Sequence, residues 1–179
     1  APSEAPPPVA TEVVGTPLPP SLAPVALDGA QLNLYRDPQT SISVSRDSRW
    51  NPQGLNELSL GVFLAPAGDS GEGVVAAKVV GPAQDQNGYL AAVGTIAKLL
   101  AKPGTQPAVS PLGSTAQSAD GIVSFVRTVG GQDFTIRGRY LAKPAPGNSV
   151  GVVLAFVPEN SYAANEGVLV QIVQGVIFQ

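Results

Sequence analysis

The chain has 179 residues, 44% of them hydrophobic, with a formal charge of −3 and no His, Cys or Met. Without imidazole or thiolate it cannot assemble a Ser-His-Asp triad, a Cys nucleophile, a structural zinc site, or a haem, iron–sulfur or blue-copper centre. Thirteen acids against ten bases, with an isoelectric point near 4.8, argue against a nucleic-acid footprint and against a polybasic membrane patch.

Residues 1–26 are built from Pro, Ala and Val with no basic residue. Prolines remove backbone donors and push the preceding residues toward extended geometry, so polyproline II or coil is expected there. Two readings stand side by side, a solvent spacer and a strap that lies on a partner. Val13, Val14, Leu18 and Leu22 favour the strap, because a spacer has no need of apolar side chains. The partner-binding residues of the tail are then Pro6, Pro7, Pro8, Val13, Val14, Leu18, Pro19, Pro20 and Leu22. The expected division is an extended tail over 1–27 and a single domain over 28–179, about 150 residues and able to bury about two-thirds of its surface. The missing initiator Met predicts that a leader or tag has been removed ahead of Ala1.

The domain opens with the turn Asp28-Gly29. Alternation predicts strands over 32–35 and 42–45, paired as a hairpin around Asp37-Pro38. Strands over 58–64 and 73–80, joined by Pro66-Ala67-Gly68-Asp69-Ser70-Gly71, continue an antiparallel sheet. From 87 to 102 the period changes: Tyr89, Val93, Ile96 and Leu100 form one face of an amphipathic helix that packs on the sheet. Asp85 or Asn87 caps its start, Lys98 and Lys102 suit its C-terminal dipole, and Pro103-Gly104 stops it.

Strands over 107–109, 121–129, 134–141 and 150–157 follow. Turns at Gly130-Gly131 and Pro144-Ala145-Pro146-Gly147 make the last three a meander. The longest apolar run, 150–157, is of strand length and far below a membrane span. Arg137 and Arg139 share a face, expected to be a solvated side of the sheet rather than an anion site. A second helix over 162–175, capped by Asn160 or Ser161, carries Val168 or Leu169, Ile172 and Val173 on one face. Two runs of strands with helices inserted once each predict α+β with an antiparallel sheet covered by helices.

The layout resembles the PsbP-like family: the extrinsic PsbP proteins, the DcrB-type bacterial lipoproteins and the LpqN-type proline-rich antigens. The resemblance covers about residues 32–178. It rests on Tyr35-Arg36-Asp37-Pro38 followed by Ile42-Ser43-Val44 and Trp50-Asn51-Pro52, on the mid-chain helix between two runs of strands, and on the ending from Pro158 through Tyr162 to Val176-Ile177-Phe178. A Pro commonly precedes the Trp turn in that family, where this chain has Arg46-Asp47-Ser48. The resemblance implies an α/β/α sandwich, in an envelope-associated or complex-stabilising protein with no catalytic centre. A proline-rich extension suits a tether, and a lipid anchor upstream of Ala1 would fit it.

Other chemistries weigh less. Gly68-Asp69-Ser70-Gly71 looks like the nucleophile turn of trypsin-like proteases, but no His accepts the hydroxyl proton. Lys78, Lys98, Lys102 and Lys143 sit in no Ser-Lys motif. Asp69 and Glu72 could contribute to a calcium site, although such ions take six to eight oxygens and the repeated Asp/Asn spacing is absent. Paired glycosidase acids would have to converge in a cleft, which scattered single acids do not suggest. Trp50, Tyr35, Tyr140 and Tyr162 line a ligand groove or, more simply, fill the core.

The sequence therefore leads to a non-catalytic accessory subunit of a bacterial cell-envelope complex, exported to the periplasm, outer-membrane surface or cell surface. It is expected to bind no cofactor, no metal and no nucleic acid, and to be strapped to its partner by the tail. The competing class is a carrier or lipoprotein holding a small apolar ligand between helix and sheet; a third is an unrecognised hydrolase.

Overall fold

The computed structural model describes residues 3–8, 21–55, 57–58, 60–68 and 70–179. A seven-stranded antiparallel sheet forms the middle layer, in the order β3-β4-β5-β9-β8-β7-β6. Its strands are β3 (Asn51–Gln53), β4 (Gly61–Ala65), β5 (Gly73–Val80), β6 (Ala108–Thr115), β7 (Ser118–Val129), β8 (Gln132–Ala145) and β9 (Ser149–Pro158). Helix α1 (Gln86–Leu100) covers one face. Helix α2 (Glu159–Gln174) covers the other, together with a three-stranded sheet of β1 (Asn33–Arg36), β2 (Ile42–Arg46) and β10 (Ile177–Phe178), ordered β1-β2-β10. This is the α+β arrangement that the strand and helix order predicts.

Strands β5 and β9 are near-continuous apolar runs because both of their faces are covered. Val75 and Ala77, with Val152, Leu154 and Phe156, meet α1; Val74 and Ala76, with Val153, Ala155 and Val157, meet α2. Continuous runs of this kind are commonest in parallel sheets. Here the register, from Gly73 opposite Phe156 to Val80 opposite Ser149, is antiparallel. On α1, the predicted Tyr89, Val93, Ile96 and Leu100 are all buried, and the Asp85 side chain accepts from the Gly88 amide at 2.8 Å. Lys102 lies beyond the helix end and pairs with Asp133.

The meander β7-β8-β9 follows prediction, with longer strands, and β6 pairs with β7 to extend it. Gly130 and Gly131, both at positive φ, make the two-residue turn that leaves Val129 opposite Gln132, the backbone hand that suits twisted hairpin strands. Edge strand β6 is blunted by Pro111 and by a register shift between Pro111 and Gly113, which leaves Leu112 exposed.

Four expectations need correction. Strands β1 and β2 do pair, but in the small sheet, which β10 completes when Ile177 meets Ser43. Strand β3, unpredicted, adds an edge to the large sheet. Helix α2 begins at Glu159 behind Pro158, with no side-chain cap from Asn160 or Ser161. The face carrying Arg137 and Arg139 is not an open side of the sheet, because α2 packs over it: Arg139 is buried and bonds Glu166 of α2.

Candidate functional site

The chain before β1 lies on α2. Ser161, Asn165 and Val168, at i, i+4 and i+7, share one face of α2, and Gln171 continues it. The backbone of residues 22–29, which leads into a 3-10 turn over Gly29–Gln31, runs along that face. Asn160 Nδ2 donates to the Leu22 carbonyl at 3.1 Å, and Ser161 Oγ accepts from the Val25 amide at 2.9 Å. Asn165 bonds the backbone twice along one edge: Oδ1 accepts from the Leu27 amide and Nδ2 donates to the Val25 carbonyl, each at 2.8 Å. Gln171 Nε2 donates to the Gly29 carbonyl at 3.2 Å. Val25 and Leu27 add their side chains to the core between α2 and the sheet. Leu22 packs on the other cluster, near Ile136 and Pro158. The side chains expected to cap α2 lie inside its first turn, because the helix starts at Glu159 behind Pro158, and they hold this strap.

Of the tail residues singled out from sequence, Pro6, Pro7 and Pro8 are exposed. Leu22 packs against this chain's own domain. Val13, Val14, Leu18, Pro19 and Pro20 lie outside the described residues.

A groove of about 310 Å³ opens beside Leu22, lined by Phe134, Thr135, Pro158 and Asn160, with Asp133 and Glu159 at its rim. Hydrogen bonds from Lys102 and Thr128 hold the Asp133 carboxyl below the usual carboxylate range. A second groove, of about 340 Å³, runs between β5 and α1 and is lined by Ala77 and Ile96. Leu60, 45% exposed, and Val80, 68% exposed, belong to that second groove.

The charged and aromatic side chains do not form one cleft. Glu72, buried, accepts at one oxygen from Trp50 Nε1 at 2.7 Å and from Arg49 Nη2 at 2.8 Å, so its carboxylate anchors the Trp turn. Asp69, its expected partner in a calcium site, lies outside the described residues. Trp50 and Tyr162 fill the core under α2, with Tyr35 packed against it, whereas Tyr140 belongs to the core under α1. The sheet thus separates Tyr140 from the other three, which favours core filling over a shared groove. Burial pushes the Tyr140 phenol up to about 12, with the Asp120 charge adding to it. Burial and the neighbouring Glu166 charge also raise Tyr162, and the Arg137 guanidinium lies 4.8 Å from its ring centroid. Arg139 meets Asp120 at 3.3 Å and Glu166 at 3.4 Å, tying β7, β8 and α2 together.

No family model matches the chain, and no curated protein matches it. Solved structures do. The Ran-binding protein Mog1p of Saccharomyces cerevisiae superposes with a TM-score of 0.55 at 11% identity, over 82% of this chain and 95% of that one. The cyanobacterial PsbP (CyanoP) of Synechocystis sp. PCC 6803 gives 0.53 at 13% identity, over 92% of this chain and the whole of that one. No helix among the described residues is long and apolar enough to cross a membrane. With its antiparallel sheet held between α1 on one face and α2 with the small sheet on the other, the chain has the fold shared by PsbP and Mog1p.

Proposed function

We propose that this chain is a non-catalytic accessory subunit of a bacterial cell-envelope protein complex, exported and docked by its domain while the proline-rich segment ahead of Ser21 reaches the partner. The observation that carries the reading is the strap. Four side chains of α2 fix residues 22–29 to the domain, so the segment ahead of them is held at a defined point on the surface. A proline-rich segment loses less conformational entropy on ordering than a flexible one, which suits it to extended contact.

The chemistry of the domain supports the same reading. Glu72 is engaged by Trp50 and Arg49, Arg139 by Asp120 and Glu166, and Lys102 by Asp133. These pairings give structural work to acids and bases that a hydrolase would need in a cleft. The fold neighbour that is a Ran-binding protein supports a protein as the partner. The groove displaying Leu60 and Val80 offers the domain a docking surface.

The carrier reading would need an enclosed apolar cavity between helix and sheet, whereas the groove between β5 and α1 is open to solvent and half polar. Tyr89, Ala92, Val93, Ile96 and Leu100 occupy that layer against Val152, Leu154 and Phe156. This leaves the subunit as the better-supported role.

The test is native gel and size-exclusion analysis of the gently solubilised envelope carrying tagged full chain. Migration in an assembly far above 18.2 kDa is expected. Migration as the free chain under every solubilisation condition overturns the proposal.

A further inference from the structure

The strap sits on α2 as a bound peptide would. Its backbone is read by side chains that belong to no sheet: Asn165 holds Val25 and Leu27 with both atoms of its amide, while Asn160, Ser161 and Gln171 take Leu22, Val25 and Gly29. Asn165 and Ser161 are only 2% and 3% exposed. Asn165 therefore interrupts the buried stripe Tyr162, Leu169 and Ile172 with a polar group whose only described partner outside α2 is the strap. A buried amide on an apolar face is costly unless an extended backbone meets it.

The occupant is held by the side chains of a single helix and by no sheet ladder. Residues 21–28 form no strand, their side chains are half-buried or exposed, and side chains of one helix supply the five bonds named above. Local opening of such a segment requires far less than global unfolding. At its Leu22 end the described residues leave a groove of about 310 Å³ beside Phe134 and Pro158, with Glu159 among the residues that line it.

We propose that this face of α2 is a receptor for an extended peptide segment supplied in trans, and that residues 22–29 are its built-in competitor. The ligand is an extended backbone with small apolar side chains two residues apart, in the places of Val25 and Leu27. At the place of Leu22 it carries a large aromatic side chain, with a basic residue alongside. The aromatic group fills the groove and the basic group meets Glu159, neither of which the strap achieves. Because the strap competes in cis at an effective concentration of roughly millimolar, only a segment that fits better displaces it, so the face answers selectively. The inference deepens the accessory-subunit reading by naming what its partner would present.

The probes are two fluorescein-labelled synthetic peptides with the sequence of residues 21–31, one unaltered and one carrying L22W. Each is titrated by anisotropy into the full chain and into the full chain with V25S and L27S, which weakens the strap without deleting it. The L22W peptide is expected to bind the weakened-strap chain at least roughly tenfold more tightly than the unaltered chain, and more tightly than the unsubstituted peptide does. Adding Asn165→Ala should reduce that affinity roughly tenfold through its lost backbone bonds. A second measurement, independent of how the variants fold, is the amide spectrum of the unaltered full chain with the L22W peptide at millimolar concentration. The Leu27 amide and the Asn165 side-chain amide should shift. Flat anisotropy with a variant whose melt shows it folded, affinity indifferent to Asn165→Ala, or unmoved Leu27 and Asn165 amides overturns the proposal. These titrations use the isolated chain, so their failure leaves assembly in the envelope standing, and failure of assembly leaves them unaffected.

Discussion

The Leu27 amide donates to Asn165 Oδ1 at 2.8 Å, across 138 positions of sequence. This bond makes the segment ahead of the first strand part of the domain's packing. Asn165→Ala removes it together with the bond to the Val25 carbonyl and the one to Ser161 O. The expected cost is about 2 kcal/mol in urea unfolding. A loss under about 0.5 kcal/mol would mean that the strap contributes nothing to stability.

Chain length gives a second prediction. A chain beginning at Ser21 keeps every strap contact, whereas one beginning at Asp28 loses Leu22, Val25 and Leu27 from the two cores. The shorter chain should melt several degrees lower, about 5 °C or more. Equal melting temperatures would contradict the structural role given to these residues.

Glu72 and Trp50 provide a third. Glu72→Ala leaves the Trp50 Nε1–H and the Arg49 guanidinium without their shared acceptor and should cost about 3 kcal/mol. Glu72→Gln keeps an acceptor oxygen and should cost about 1 kcal/mol. Trp50 is the only tryptophan, so fluorescence unfolding reports on this site directly. Equal costs for the two substitutions would show that the carboxylate does not organise the Trp turn.

Tyr140 carries a pH prediction. Burial raises its phenol from the usual value near 10 to about 12, so the folded state holds the proton that the unfolded state releases first. The stabilisation is fully present below pH 10 and is lost as pH climbs through about 12. The buried hydroxyl has no hydrogen-bond partner among the described residues. Tyr140→Phe should therefore be close to neutral at pH 7 and should flatten the fall in stability above pH 10. A steep loss at pH 7 would reveal a partner for that hydroxyl.

How much of this was legible depended on the range over which each signal acts. Helix α1 was readable because Tyr89, Val93, Ile96 and Leu100 repeat at helical spacing behind an Asp85 cap, all within one segment. The Gly130-Gly131 turn carried its own backbone hand. Arg137 and Arg139 misled because alternate charges on a strand look solvent-facing until a helix that brings Glu166 is laid over them. Strand β10 was invisible because Ile177 and Phe178 find their partner in β2 at the far end of the chain. The strap site was missed although one clue was present: Asn165 stands in the otherwise apolar stripe of Tyr162, Leu169 and Ile172. Asn160 and Ser161 look like helix caps by position, and only the fold shows their donors and acceptors turned to another segment.

The measurement that bears most directly on the function is cross-linking mass spectrometry of the natively purified assembly, comparing the full chain with one beginning at Ser21. The account predicts that the full chain comes out in a defined complex, with cross-links from residues 1–20 to another protein, and that the shorter chain, folded and with its strap intact, is lost from it or held more weakly. Recovery of both chains as free monomers without intermolecular cross-links would contradict it.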